Sequence, residues 1–144
     1  MKQIELDNQT DTKIDIINKL EDIITDMTDK SVEVILVDDD TISSINLQHR
    51  GKNSPTDVLS FPLKDVGFIS MLGSIIISID TAKQKAKEFN HILEDEICLL
   101  FIHGLLHLLG YDHEVDNGEM RDKEKELIIY HNLPSSLIIR TMEE

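Results

Sequence analysis

The chain has 144 residues, 40% of them hydrophobic and 29% charged, and a formal net charge of −14. That length suits one domain, expected over residues 1–144, and that composition excludes an intrinsically disordered chain. Its single cysteine excludes a disulfide-framed secreted fold and any cysteine-rich zinc module.

Residues 1–7 show no apolar stretch of the signal-peptide kind. The longest apolar stretch, Ile97 to Leu109, is interrupted by His103, Gly104 and His107 and is too short to span a bilayer. The expectation is therefore a cytoplasmic protein with no membrane association.

In chain order, Lys2–Leu6 alternates apolar and polar residues and predicts a strand. Thr10 or Asp11 is expected to cap a helix carrying Ile14, Ile17, Leu20, Ile24 and Met27 at helical spacing. Residues 32–37 are apolar on both faces and predict a central strand. Asp38–Asp40 then caps a short helix bearing Ile42, Ile45 and Asn46. Gly51–Pro55 reads as a turn. Val58–Phe61 reads as a strand, and Pro62, which has no N–H to donate, suits an edge strand.

A loose segment is expected to Gly73, then a strand over Ile75–Ile79 and a helix capped by Asp80 and running to Phe89. A long helix follows from about Leu93 to Leu109, with Gly110 stopping it in the left-handed conformation. Residues 117–131 give a last amphipathic helix, ended near Pro134. The order predicts an α+β fold with a mixed sheet of about four strands and about five helices.

The acidity is unevenly spread. Residues 1–40 and 91–144 each carry a net −8, whereas 41–90 carry +2 from Arg50, Lys52, Lys64, Lys83, Lys85 and Lys87. As a sum, −14 argues against a nucleic-acid binder. The acidity sits at the two ends and the middle is mildly basic, and composition alone favours a solvated acidic surface that keeps the protein soluble.

His103 and His107 are four apart on the long helix, so both rings leave one face. That spacing lets two imidazoles reach one zinc at ~2.0–2.1 Å. Gly110 turns the chain back and His113 follows three residues later. Three His ligands with one position left for water is the arrangement of catalytic zinc, where structural sites use four protein ligands. Histidines on an apolar helix can also be hydrogen-bonded core residues, and His49, His91 and His131 read that way. Cys98 reads as a small core residue.

The string His-x-x-x-His-x-x-Gly-x-x-His is the zinc string of metzincin proteases, in which the residue after the first His is the glutamate base. Here that residue is Gly104. Glycine costs roughly 1 kcal/mol against alanine inside a helix. Either a substrate beside the metal or a closely packed backbone needs the space.

The run His103-Gly104-Leu105-Leu106-His107-Leu108-Leu109-Gly110-Tyr111-Asp112-His113 resembles the signature of the YbeY family, zinc-dependent bacterial endoribonucleases of rRNA maturation. A second block agrees: Arg50-Gly51-Lys52, then Pro55-Thr56-Asp57-Val58-Leu59-Ser60-Phe61-Pro62. One departure is visible, Ser74 after Leu72-Gly73, where the family usually has Asp.

The resemblance implies a zincin-like fold with an edge strand flanking the cleft. It implies one Zn2+ per chain on His103, His107 and His113, and Arg50 as a catalytic residue. A planar guanidinium can hold two phosphate oxygens at once, which suits that role. Asp57 reads as the turn residue that opens its strand, or as a carboxylate supporting the site from behind, and Asp112 as a candidate to orient a His ring.

The implied activity is cleavage of single-stranded RNA in rRNA maturation, at the 3′ end of small-subunit rRNA, and in ribosome quality control. Zinc would polarise a phosphoryl oxygen or lower the pKa of water to about 7. Water and the 2′-hydroxyl both stay open as nucleophile. Implied partners are rRNA and the small ribosomal subunit or a ribosomal protein. With three to five phosphate contacts, log K against log salt should slope only about −2 to −4. Two rivals stand beside this reading. One is a zincin-like metalloprotease; the other is a non-catalytic ribosome-assembly factor with structural zinc.

Overall fold

The computed structural model describes residues 2–63 and 71–142. Among these, β1 (Ile4–Asn8), β2 (Ser31–Val37), β3 (Val58–Pro62) and β4 (Met71–Ser78) form one sheet in the order β1-β2-β4-β3. The β1–β2 and β2–β4 pairs are parallel, and β3 runs antiparallel to β4. Six helices accompany them: α1 (Ile17–Thr25), α2 (Asp39–Arg50), α3 (Ile79–Phe89), α4 (Leu93–Leu108), α5 (Glu119–Tyr130) and α6 (Ser136–Met142). The mixed-sheet α+β architecture matches the expectation, and β3, carrying Pro62, is an edge strand as its composition required.

Alternation on the central strands assigns the two layers. Ile75 and Ile77 of β4, with Val32, Val34 and Leu36 of β2, join α1 and α4 in the main core. Ile76 and Val37 point the other way and pack with Leu59 of β3 and Ile42 of α2. Helix α4 is buried over most of its length because helices, as well as the sheet, cover it. This places a 16-residue helix directly under the edge strand, with its C-terminal turn at the cleft.

Some boundaries differ from expectation, for local reasons. Helix α1 starts at Ile17 rather than at a Thr10 or Asp11 cap. Asn8 Oδ1 accepts from the Thr10 N–H and hydroxyl, and Thr10 Oγ1 accepts from the Thr12 N–H. Such local bonds compete with helix. The cap of α3 is Ser78, whose hydroxyl accepts from the Thr81 N–H at 3.2 Å. Asp80 instead accepts from the Asp39 N–H, tying α3 to α2. Strand β4 begins at Met71, before Gly73, and Ile79 belongs to α3. The rest of the expected loose segment, Lys64 included, lies outside the described residues. Beyond Pro134 the chain forms α6, a helix absent from the sequence expectation.

Candidate metal centre and cleft

Gly110 ends α4 in a left-handed turn, at φ +102°. The Gly110 N–H bonds to the His107 carbonyl and the Tyr111 N–H to the Leu106 carbonyl, both at 3.0 Å. That is a Schellman closure. It reverses the chain and brings His113 back over the last turn of α4. The rings of His103 and His107 are 4.7 Å apart between centroids, and His113 stands 5.5 and 5.6 Å from them. One nitrogen from each ring lies within 4.8 Å of the other two.

The donor set fits a metal. His103 Nε2 and His107 Nε2 face each other at 3.1 Å. Two nitrogens bound to one tetrahedral zinc at ~2.0–2.1 Å stand roughly 3.3 Å apart. His113 Nδ1 is buried with no hydrogen-bond partner. Burial, then the charges of His103 and His113, holds His107 below the ordinary imidazole range, against a raising hydrogen bond to the Tyr111 backbone and the nearby Asp112 carboxylate. A neutral imidazole is the form that binds a metal.

The carboxylate that holds His103 was not among the expected residues. His103 Nδ1 donates to Glu124 Oε1 at 2.9 Å, which leaves Nε2 turned toward the other two rings. Glu124 is fully buried on α5. It lies four residues after buried Met120 and three before buried Leu127. A charge on that apolar face was the available signal. Asp112 accepts from the Glu114 N–H at 3.0 Å, closing the turn that contains His113.

The three histidines open into a cleft of about 620 Å³. Its lining includes Ser60 and Pro62 of β3, Arg50 at the end of α2, Asp57, and Glu114. Arg50 thus lines the same cleft as the three histidines; Lys52 is exposed and is not among the lining residues. One turn before Arg50, buried Asn46 donates to the Ser54 carbonyl at 2.9 Å and secures the loop between α2 and β3.

Gly104 is explained by packing. A Cβ there would stand 2.8 Å from Ile75 Cγ2 and 3.0 Å from Ser60 Oγ. Ser60 also donates to the Gly104 carbonyl at 3.2 Å. Helix and sheet meet at this point, so the space is filled by the protein and not kept for a substrate. A metzincin-type glutamate has no room at position 104.

The family model described as "Endoribonuclease YbeY" matches residues 1–132. The chain belongs to the YbeY family. Relatives named Endoribonuclease YbeY include that of Nautilia profundicola, 61% identical over 137 residues, covering 95% of this chain and 97% of the relative. That of Wolinella succinogenes is 55% identical, covering 97% of this chain and 99% of the relative. Among solved structures, the solution structure of TM1509 from Thermotoga maritima is similar, with a TM-score of 0.61 and 30% identity. That likeness covers 97% of this chain and 92% of the other.

Ser74, where YbeY members usually carry Asp, uses its hydroxyl to bond Glu33 Oε1 of neighbouring β2 at 2.8 Å. The YbeY match ends before α6, yet that helix reaches the cleft wall. Buried Arg140 of α6 donates through Nη2 to Asp57 Oδ2. Asp57 thus anchors a helix in addition to opening its strand. Arg140 Nε also stands 3.3 Å from Glu96 Oε2, and Glu96 Oε1 is 2.7 Å from His91 Nε2. Burial pushes the Glu96 carboxyl up, while Arg140 and His91 pull it back. His91 is thus a hydrogen-bonded interior residue, and Cys98 a core thiol that burial raises to about 12.

Proposed function

We infer that this chain is a zinc-dependent endoribonuclease that cleaves single-stranded RNA during rRNA maturation, with His103, His107 and His113 as ligands and Arg50 on the scissile phosphate. The observation that carries this reading is the convergence of three histidine nitrogens within 4.8 Å in a cleft that Arg50 also lines. The chain's membership of the YbeY family supplies the reaction class.

Each residue has a physical task. Glu124 fixes the tautomer and ring angle of His103. Its burial makes the charge-assisted bond strong and the geometry stiff. His107 stays neutral because the site disfavours its charge. Arg50 reaches the cleft from the opposite side of the edge strand. Its fork can hold two oxygens of one phosphate and stabilise the charge that grows there. Zinc on the three histidines supplies Lewis acidity toward a phosphoryl oxygen and lowers the pKa of water. Position 104 offers no proton acceptor, so the glutamate-assisted hydrolysis of metzincins is closed to this chain.

RNA is the substrate in this reading, and the small ribosomal subunit or a ribosomal protein its partner in choosing the bond. Among the described residues no helix is long and apolar enough to cross a membrane. A cytoplasmic site of action follows from the substrate.

The test compares zinc-loaded wild type with Arg50→Lys on single-stranded RNA and on casein. Wild type should cut RNA and leave casein intact. Arg50→Lys should bind zinc normally and lose most RNA cleavage, because it keeps the charge and loses the fork. Casein cleavage without RNA cleavage would establish the protease reading. Full turnover by Arg50→Lys would reduce Arg50 to a surface charge.

A further inference from the structure

A ring pair stands on the outer lip of the cleft and has no part in the chemistry above. His49 is the penultimate residue of α2 and precedes Arg50. Its ring lies 4.9 Å from that of Phe61, tilted by 58°. Phe61 sits on edge strand β3 between Ser60 and Pro62, both of which line the cleft. Side chains alternate along a strand, so Phe61 turns to the α2 side, against the small core of Val37, Ile42, Leu59 and Ile76. Phe61 is only partly covered there, and His49 is exposed at the end of α2, not the core residue that the sequence suggested. Ser60 and Pro62 thus face the cleft from one side of the edge strand, and Phe61, with His49 of α2 beside it, lies on the other. Arg50, which lines the cleft, follows His49 directly in the chain.

We propose that His49 and Phe61 form a nucleobase-stacking subsite, which takes the base of a nucleotide adjoining the phosphate on Arg50. This rests on the endoribonuclease reading and adds a substrate contact to it. Two physical arguments favour a base over other ligands.

The first is charge. The chain carries a net −14, and Asp57, Asp112 and Glu114 line the same cleft as Arg50. Phosphate contacts alone can therefore contribute little affinity for RNA. Stacking depends far less on ionic attraction and is the usual complement to a cation in single-strand recognition. The second is placement. The chain has four Phe, two Tyr and no Trp, so rings are scarce. Here one of the four phenylalanines meets a histidine ring at a solvent-facing edge, one residue from the phosphate-binding arginine and one residue from the cleft-lining strand positions. A phosphate held by Arg50 puts its neighbouring nucleotide at this lip, and a flat apolar face is what an unstacked base seeks.

The experiment measures steady-state cleavage by the zinc-loaded full chain, using His49→Ala and His49→Phe. Substrates are a single-stranded RNA and the same RNA with one abasic residue on either side of the cleaved bond. Loss of the ring should raise KM on intact RNA about 5- to 20-fold, within the range of one base stacked on an aromatic side chain. His49→Phe should restore it. One of the two abasic substrates should be cut equally by wild type and His49→Ala, because the base that the ring holds is gone. Equal KM for wild type and His49→Ala on intact RNA would overturn the subsite. So would an equal loss on both abasic substrates, which marks a ring that merely props β3 against α2. A wild type that cuts none of the RNAs would overturn the endoribonuclease reading, and the subsite with it.

Discussion

Glu124 of α5 grips the Nδ1 of His103 on α4 at 2.9 Å, although 21 residues separate them in the chain. The pair joins two helices at the base of the cleft. Its carboxylate is fully buried, and its second oxygen has no hydrogen-bond partner. A buried charge of this kind is costly unless the group it holds makes use of it. Glu124→Gln keeps the shape and removes the charge. Its zinc affinity, read by competition with a chromogenic chelator, should fall about 10- to 100-fold. Unchanged affinity would limit Glu124 to a packing role.

Gly104 admits no side chain without displacing Ile75, a branched residue buried in the sheet. Alanine gains roughly 1 kcal/mol in helix propensity. Overpacking against a well-filled core costs about 1–3 kcal/mol. The clash should win, so Gly104→Ala should lower the melting temperature of the metal-free chain. A rise in melting temperature would show that Ile75 yields easily and that packing does not explain the glycine.

Arg140 links α6 to Asp57 in the cleft wall and to Glu96 on α4. Arg140 and Glu96 are both buried, whereas Asp57 keeps 25% of its side chain exposed. Removing one member of a buried ion network costs about 3–5 kcal/mol, mostly from the charge left behind. Arg140→Met should cost that much in urea unfolding, and Asp57→Asn clearly less. Equal costs would mean that the exposed side of the network carries the stability.

The triad also predicts a pH response for the metal-free chain. Burial first, then the charges of His103 and His113, lowers the pKa of His107 below 6.5. Above 6.5 the group is neutral in both folded and unfolded states, and its contribution is flat. As pH falls below 6.5 the unfolded chain takes up a proton that the folded chain resists, so stability declines toward the folded pKa. Thermal unfolding of the chelated protein at pH 7 and at pH 5.5 should show this loss, and His107→Gln should show less of it. An equal slope in the variant would place the titration elsewhere.

Much of the site was legible because its parts are close in sequence. His103 and His107 share one helix, and Gly110 returns His113 within six residues, so spacing alone brings the triad together. Arg50 was legible through its block with residues 55–62. The orienting carboxylate was not, because it comes from another helix and only the packing of α5 on α4 reveals it. The same holds for Asp57, whose partner is 83 residues away on α6, beyond Pro134. Two possible reasons for Gly104 were visible in the sequence. The choice between them needed the position of Ile75 across the helix–sheet contact. The late start of α1 was hidden for the opposite reason: side-chain bonds over Asn8–Thr12 outweigh a helical pattern that already includes Ile14.

Metal dependence is read by titrating chelator-stripped protein with zinc and following cleavage of single-stranded RNA at each point. Wild type should be inactive without metal, and its rate should saturate at one zinc per chain. The His107→Ala/His113→Ala variant should bind no zinc at the site and stay inactive throughout. RNA cleavage by that double variant at the wild-type rate, or full wild-type activity with all metal removed, would contradict the account.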